Sequence, residues 1–187
     1  MAVFYRGAGL GTHWWLNDAR AGGFAARAPR NPSSVDRLMQ HVGGSTQTTP
    51  FISLTRSYAV AWDYAVKGGR GYPSRKAPAF IYEVEIDAGA SCRLLDPLKA
   101  IATSLPEPLT LPGFHHDGDQ SSLIGIVDAG QSDILNKPVR YPPPQPPKPN
   151  VNVGPELRAL VRALRGAEVV AVDHIPARLV VVRHDVW

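Results

Sequence analysis

An arginine, two hydroxyls and a glutamate fall on three separate β-prone segments of this chain. Arg6 is the third residue of Phe4-Tyr5-Arg6-Gly7-Ala8-Gly9. Ser53 and Thr55 alternate in Phe51-Ile52-Ser53-Leu54-Thr55, and Glu168 opens Glu168-Val169-Val170-Ala171-Val172-Asp173-His174-Ile175-Pro176. Arginine's planar fork stays charged and can bind phosphate through two parallel hydrogen bonds. A hydroxyl on a neighbouring strand can hold a carboxylate in one rotamer. An ionised glutamate beside a sugar stabilises the positive charge that grows as a glycosidic bond breaks toward an oxocarbenium ion.

The elements that must position these residues are legible from periodicity and punctuation. Phe4-Tyr5-Arg6 reads as a short strand broken at Gly7, Gly9 and Gly11. Asn31-Pro32 is expected to open a helix, with asparagine as N-cap and proline at the first helical position. Val35, Leu38, Met39 and Val42 form its apolar stripe, and Gly43-Gly44 stops it. Thr48 to Thr55 is rich in β-branched residues, with Pro50 tolerable near a strand start or an edge. Ser57 then caps a helix on which Val60, Ala61, Tyr64 and Ala65 share a face, ended by Gly68-Gly69.

Ala79 to Ile86 alternates as a strand should, and Leu123 to Val127 reads as a shorter one. Pro142 to Pro149 carries six prolines in eight positions, which suits a stiff polyproline II spacer on a surface loop better than an SH3 ligand. Pro155 begins a helix with Leu157, Leu160, Val161 and Leu164 on one side and Arg158, Arg162 and Arg165 on the other, stopped by Gly166. Glu168 to Val172 and Leu179 to Val182 are the last strands, with a turn at Asp173 to Pro176. The inventory predicts a single α+β domain over residues 1–187, with about six strands.

Composition narrows the classes. The chain has 187 residues, 44% hydrophobic and 19% charged, which is ordinary for a folded globular protein. No apolar run approaches the ~18 residues of a membrane span, so no membrane partner is expected. Met1-Ala2-Val3 runs straight into the first strand without a signal-peptide pattern, and Cys92 is a lone cysteine with no internal disulfide partner. A cytoplasmic protein, or a domain of a longer one, is expected. Residues 1–80 hold ten Lys/Arg against three Asp, a net +7; residues 81–187 hold ten basic against thirteen acidic residues, a net −3. A basic half suits an anionic partner, either a dinucleotide diphosphate or a nucleic-acid backbone, and equally a solvated surface.

Taken in order, the three segments resemble the arginine–serine–glutamate signature of mono-ADP-ribosyltransferases of the cholera-toxin-like class. Tyr5-Arg6-Gly7 is similar to that family's first-strand arginine preceded by an aromatic. Phe51-Ile52-Ser53-Leu54-Thr55 is similar to its Ser-Thr-Ser strand, with Leu54 in the middle and Thr55 in place of the last serine. Glu168 and the Ile175-Pro176 turn resemble the third motif. A helix with small residues (Ser57 to Val66) and a hydrophobic strand (Phe80 to Ile86) follow the serine strand, as in the family. The resemblance covers residues 3–11, 48–98 and 166–182, and residues 99–165 read as an insertion that includes the loop 142–149.

The resemblance implies an α+β fold of two small, mostly antiparallel sheets packed together, with flanking helices and an NAD cleft between the sheets. NAD would be the substrate and no metal would be needed. Arg6 would bind the phosphates and ribose, Ser53 would order the site, Thr55 would support the glutamate, and Glu168 would stabilise the oxocarbenium ion. Gly7 would let its backbone approach the nicotinamide amide, and Phe51 or Tyr58 would stack on the ring. ADP-ribose would pass to a macromolecular acceptor, protein or nucleic acid, in the manner of a toxin or effector. NAD hydrolysis to water and a non-catalytic binding domain are the alternatives. Arginine-modifying members carry a second acid two places before the glutamate; Gly166 stands there, which argues against arginine as acceptor.

Other residues offer rival readings. Glu83 and Glu85 have the two-glutamate spacing, but they sit on an alternating strand as a solvated pair would, and only Glu168 precedes an Ile-Pro turn. His115-His116-Asp117-Gly118-Asp119 reads as a polar loop rather than a metal site, since adjacent histidines there diverge. His13-Trp14-Trp15 suits either a pocket wall or the core. Gly7-Ala8-Gly9-Leu10-Gly11 lacks the spacing of a dinucleotide fingerprint.

Overall fold

Strand β4 (Ala79–Ile86) is buried on both faces, and its alternation divides the molecule's core. In the computed structural model, which describes residues 1–87, 89–104, 109–111, 114–117, 120–122 and 155–187, Ala79 and Ile81 pack under a helix with Ala61, Ala65 and Val186. Tyr82, Val84 and Ile86 face the other way, into a larger cluster with Phe4, Phe24, Leu54 and Ile175. Both neighbours of β4 are antiparallel: β1 (Ala2–Ala8), in register from Ala2↔Ile86 to Ala8↔Phe80, and β11 (Val180–Val186). The last strand therefore runs four residues past its expected end at Val182. His184 and Asp185 pair through their backbones, which apolar periodicity does not register.

The other half of the sheet is β3 (Phe51–Thr55), β9 (Glu168–Val172) and β5 (Leu94–Leu95), again antiparallel. Together the strands form one six-stranded sheet in the order β11-β4-β1-β3-β9-β5. The halves meet at a single register pair, Tyr5↔Thr55. The expectation of two separate sheets thus becomes one sheet with a seam. Beyond that pair the guanidinium of Arg6 donates to the carbonyl of Ser53, where a ladder N–H would otherwise sit. A two-stranded ribbon pairs β2 (Phe24–Ala25) with β10 (His174–Ile175), and β6 (Leu109–Leu111), β7 (Phe114–Asp117) and β8 (Gln120–Ser122) form a small antiparallel sheet. The His115-His116-Asp117 segment is accordingly strand rather than loop. The expected strand at Leu123 to Val127 and the spacer at 142–149 lie outside the described residues.

The later helices cover one face of the sheet, and the two short early ones lie on the other, where Ala19 and Trp14 pack with Phe24. After the short α1 (His13–Leu16) and α2 (Ala19–Gly22) comes α3 (Val35–Val42). Ser34 caps α3 by accepting from Arg37 N at 3.3 Å, whereas the Asn31 amide donates to Thr48 O at 2.8 Å. The helix thus starts later than the Asn31-Pro32 pair suggests. Helix α4 (Tyr58–Lys67) is capped by Ser57 as expected. Asp96 caps α5 (Pro97–Ala102), and α6 (Pro155–Arg165) ends at Gly166, whose N–H reaches Arg162 O at 2.9 Å. Leu38 of α3, Ile101 of α5 and Leu160 of α6 meet Phe51 and Val170 in the second main cluster. Both ends of the expected insertion 99–165 therefore belong to the core.

Helix α4 lies close against β1 because the facing residues are small. A Cβ built on Gly7 would come within 2.2 Å of Ala61 O and 2.8 Å of Ala65 N, both backbone atoms of α4. Gly7 is required by this helix–strand approach, a different duty from an approach to nicotinamide. Gly7→Ala should lower stability by about 1–3 kcal/mol through overpacking, read as a shift in urea midpoint; an unchanged midpoint would mean that α4 can move away at no cost.

Candidate active site at the sheet seam

The first contact of the site is built by register. Thr55 stands opposite Glu168, and Ser53, two residues along the same face of β3, lies diagonal to it. Ser53 Oγ donates to Glu168 Oε1 at 2.7 Å. The backbone entering β9 is pinned from several sides. Thr55 Oγ1 donates to Gly166 O at 2.6 Å, Arg56 N donates to Ala167 O at 3.0 Å, and Ala167 takes a left-handed φ of 42°. That conformation is costly for a residue with a Cβ. Thr55 thus supports the glutamate through the turn that aims it rather than through its carboxylate.

Arg6 approaches from the other half of the sheet. It is half-buried, its Cζ lies 5.6 Å from the ring centroid of Phe24, and its Nη1 is bound to Ser53 O. Its Nε is buried with no hydrogen-bond partner among the described residues. Burial pushes its pKa down to about 10; Glu168 opposes this and Arg27 adds to it. The guanidinium is still charged at neutral pH.

His41 completes the site, and sequence reasoning missed it. It sits in the last turn of α3, 3% exposed. Its Nε2 lies 2.9 Å from Ser53 Oγ and its Nδ1 2.6 Å from Thr49 Oγ1. Burial, and secondarily Arg6, hold its pKa down to about 4, so it is neutral at pH 7. Because Ser53 gives its one proton to Glu168, the network assigns the other hydrogen bond: Nε2 carries the imidazole proton and Ser53 accepts it. Nδ1 is then left to accept from Thr49 Oγ1 at 2.6 Å, a shorter contact than the 3.3 Å from the same hydroxyl to Thr46 O. Glu168 is pushed above the usual carboxylate range by burial, with the Ser53 hydrogen bond and Arg6 pulling it back. In the sequence, His41 falls three residues after Leu38 beside an apolar stripe, where a lone histidine reads as core.

Arg6, His41, Ser53, Tyr64 and Glu168 line a cavity of about 290 Å³. It continues past Thr12, His13, Trp14 and Arg27 into a space of about 490 Å³. On the opposite side it meets a third of about 530 Å³, between α4 and α6. Trp14 is both wall and core: it lines the second cavity and meets Phe24 edge-on at 4.9 Å. Phe51 edges the same cavity but is 3% exposed, packed in the core and against His41 at 5.6 Å, so it offers no free face for stacking. Tyr58 packs on Tyr5 and His184, away from these linings; Tyr64, 63% exposed, is the aromatic of α4 that reaches them. Glu83 pairs with His184 at 3.3 Å, and neither it nor Glu85 lines the three cavities.

Comparison of the chain with protein-family models, curated proteins and solved structures returns no match. Among the described residues no helix is long and apolar enough to cross a membrane, and no group of three His, Cys, Asp or Glu side chains is placed to hold a metal ion.

The depressed His41 makes stability depend on pH. Between about 4 and the ordinary 6.5, the unfolded chain binds a proton that the folded protein refuses. Stability from neutral His41 is therefore complete above pH 6.5 and is lost as the pH falls toward 4. Glu168, raised from 4.5, acts in the opposite sense, favouring the folded state at low pH and less so as the pH rises. His41→Gln removes only the first effect. Between pH 7 and pH 4.5 the wild type should lose more stability than the variant, by on the order of 2 kcal/mol in urea titrations. Equal losses would show that His41 is not held neutral.

Proposed function

We propose that the protein is a mono-ADP-ribosyltransferase that cleaves NAD and passes ADP-ribose to a macromolecular acceptor. The observation that carries this reading is the 2.7 Å bond from Ser53 to Glu168, beside a guanidinium anchored on the carbonyl of the same serine. Arg6 and Glu168 are the opposite charges this chemistry needs, one for the diphosphate and one for the ribose. The Nε of Arg6, without a partner among the described residues, and the nearby Arg27 support an anionic ligand in the cavity beside Trp14. The volumes lie in the range of ligand pockets, about 300–1,000 Å³. The same reading takes the two halves of the sheet, joined at Tyr5↔Thr55, as the paired sheets of the transferase fold.

In this mechanism Arg6 holds the diphosphate, and Glu168 accepts from the ribose 2′-hydroxyl. The bond from ribose C1′ to the nicotinamide nitrogen breaks, its electron pair leaves with nicotinamide, and the carboxylate stabilises the oxocarbenium ion. Ser53 fixes the carboxylate rotamer, and His41 fixes Ser53. Gly166 favours one second reading, NAD hydrolysis to water, because it supplies no acid to activate an acceptor.

Glu168→Gln keeps the shape of the site and removes the charge. Nicotinamide release should fall by about 10²–10³-fold, while NAD affinity by calorimetry stays within a few-fold of wild type. A variant with near-wild-type turnover would remove Glu168 from the mechanism. Chain-wide absence of both NAD affinity and nicotinamide release would favour a binding domain instead.

A further inference from the structure

The site opens on two sides of Glu168, and the second opening has its own character. The cavity of about 530 Å³ between α4 and α6 shares Tyr64, Gly166 and Glu168 with the central one. Its other charged lining residues are Asp63, Arg162 and Arg165. Asp63 is paired with Lys67 one turn along α4, so its charge is answered there. Arg162 is held on the Gly43 carbonyl at the end of α3, which ties its guanidinium across the cavity. Arg165 is exposed in the last turn of α6. Gly166 projects no side chain, so the way from this cavity to Glu168 is open where an acidic residue would narrow it and repel an anion. Tyr64 borders all three cavities with an exposed ring.

Resting on the transferase reading above, we propose that this cavity receives the acceptor and that the acceptor is a nucleic-acid strand. Arg162 and Arg165 would take its phosphates, and Tyr64 would stack a base beside Glu168. Two cations and an exposed aromatic match a chain of phosphates and flat bases, the combination by which single strands are held. A carboxylate side chain of a protein would answer one arginine and leave the ring without a stacking partner. The net +7 of residues 1–80, which include α4 and Tyr64, adds long-range attraction for the same partner. In the transfer, the bond from C1′ to nicotinamide breaks and a bond from C1′ to a base nitrogen forms. The proton on that nitrogen passes to Glu168 and then to water.

The test uses the full chain and a short mixed-sequence single-stranded oligonucleotide. Wild type should bind it with an affinity that falls with salt, the log–log slope being roughly −1.4 for two neutralised phosphates. Arg165→Ala should weaken binding several-fold and flatten the slope by roughly 0.7; Arg165→Lys should retain the slope, which a merely misfolded variant would not. With NAD labelled in its adenylate moiety and cell lysate added, label should enter material sensitive to nuclease and resistant to protease. Identical salt slopes for wild type and Arg165→Ala would overturn the proposal. So would label confined to protease-sensitive material, or only free ADP-ribose; in either case nicotinamide release would continue and the NAD-cleaving reading would stand. Absence of nicotinamide release from the wild type would overturn that reading, and this inference with it.

Discussion

The parting of β1 from β3 is the constraint on which the site depends. Two antiparallel strands that meet at Tyr5↔Thr55 would ordinarily continue their ladder, and here Arg6 occupies the next position with its side chain. A guanidinium placed there loses hydration, which is costly for a charge. The Ser53 carbonyl, the face of Phe24 and the charge of Glu168 offset that loss, while its Nε is left without a partner among the described residues. The seam therefore holds a cation that is positioned but incompletely satisfied, a state suited to an anionic ligand.

Across the seam, the polar chain from Thr49 to Glu168 behaves as one unit. In surroundings that exclude water, a hydrogen bond is stronger and an unmade one costs more, so partial satisfaction would be worse than an apolar site. Each hydroxyl and ring nitrogen in the chain has a partner within 2.9 Å. The neutrality of His41 is part of that arrangement. A charged imidazole would lose its acceptor at Nδ1 and would add a second cation beside Arg6.

The helices that flank the seam keep it open for different reasons. Helix α4 lies close to the sheet because Gly7, Ala61 and Ala65 leave room, which brings Tyr64 to the edge of the cavities. Helix α6 buries Ala159, Leu160 and Ala163 against α3 and α5 and leaves Arg158, Arg162 and Arg165 outward. Amphipathic burial fixes its orientation, and that orientation carries two of its arginines to the mouth beside Glu168.

The sequence by itself determined what depends on neighbours a few residues apart. The alternation of Ala79 to Ile86, the Ser57 cap, the stop at Gly166 and the strand opening at Glu168 are local, and local sterics and hydrogen bonds dictate them. The strand carrying Arg6 was legible too, but it runs on through Gly7 to Ala8 because β4 pairs with it there. The cap at Ser34 rather than Asn31 shows the limit even there, because the Asn31 amide is drawn to Thr48 across a loop. Tertiary structure alone decided the rest. Ser53 and Glu168 touch across 115 positions, and His41 reaches Ser53 only because α3 packs on β3. Thr55 serves a turn rather than a carboxylate, and Tyr64 rather than Tyr58 meets the cavity, because strand register and helix rotation set where each side chain ends. Register and rotation are fixed by burial summed over the whole core, and no single segment contains that sum.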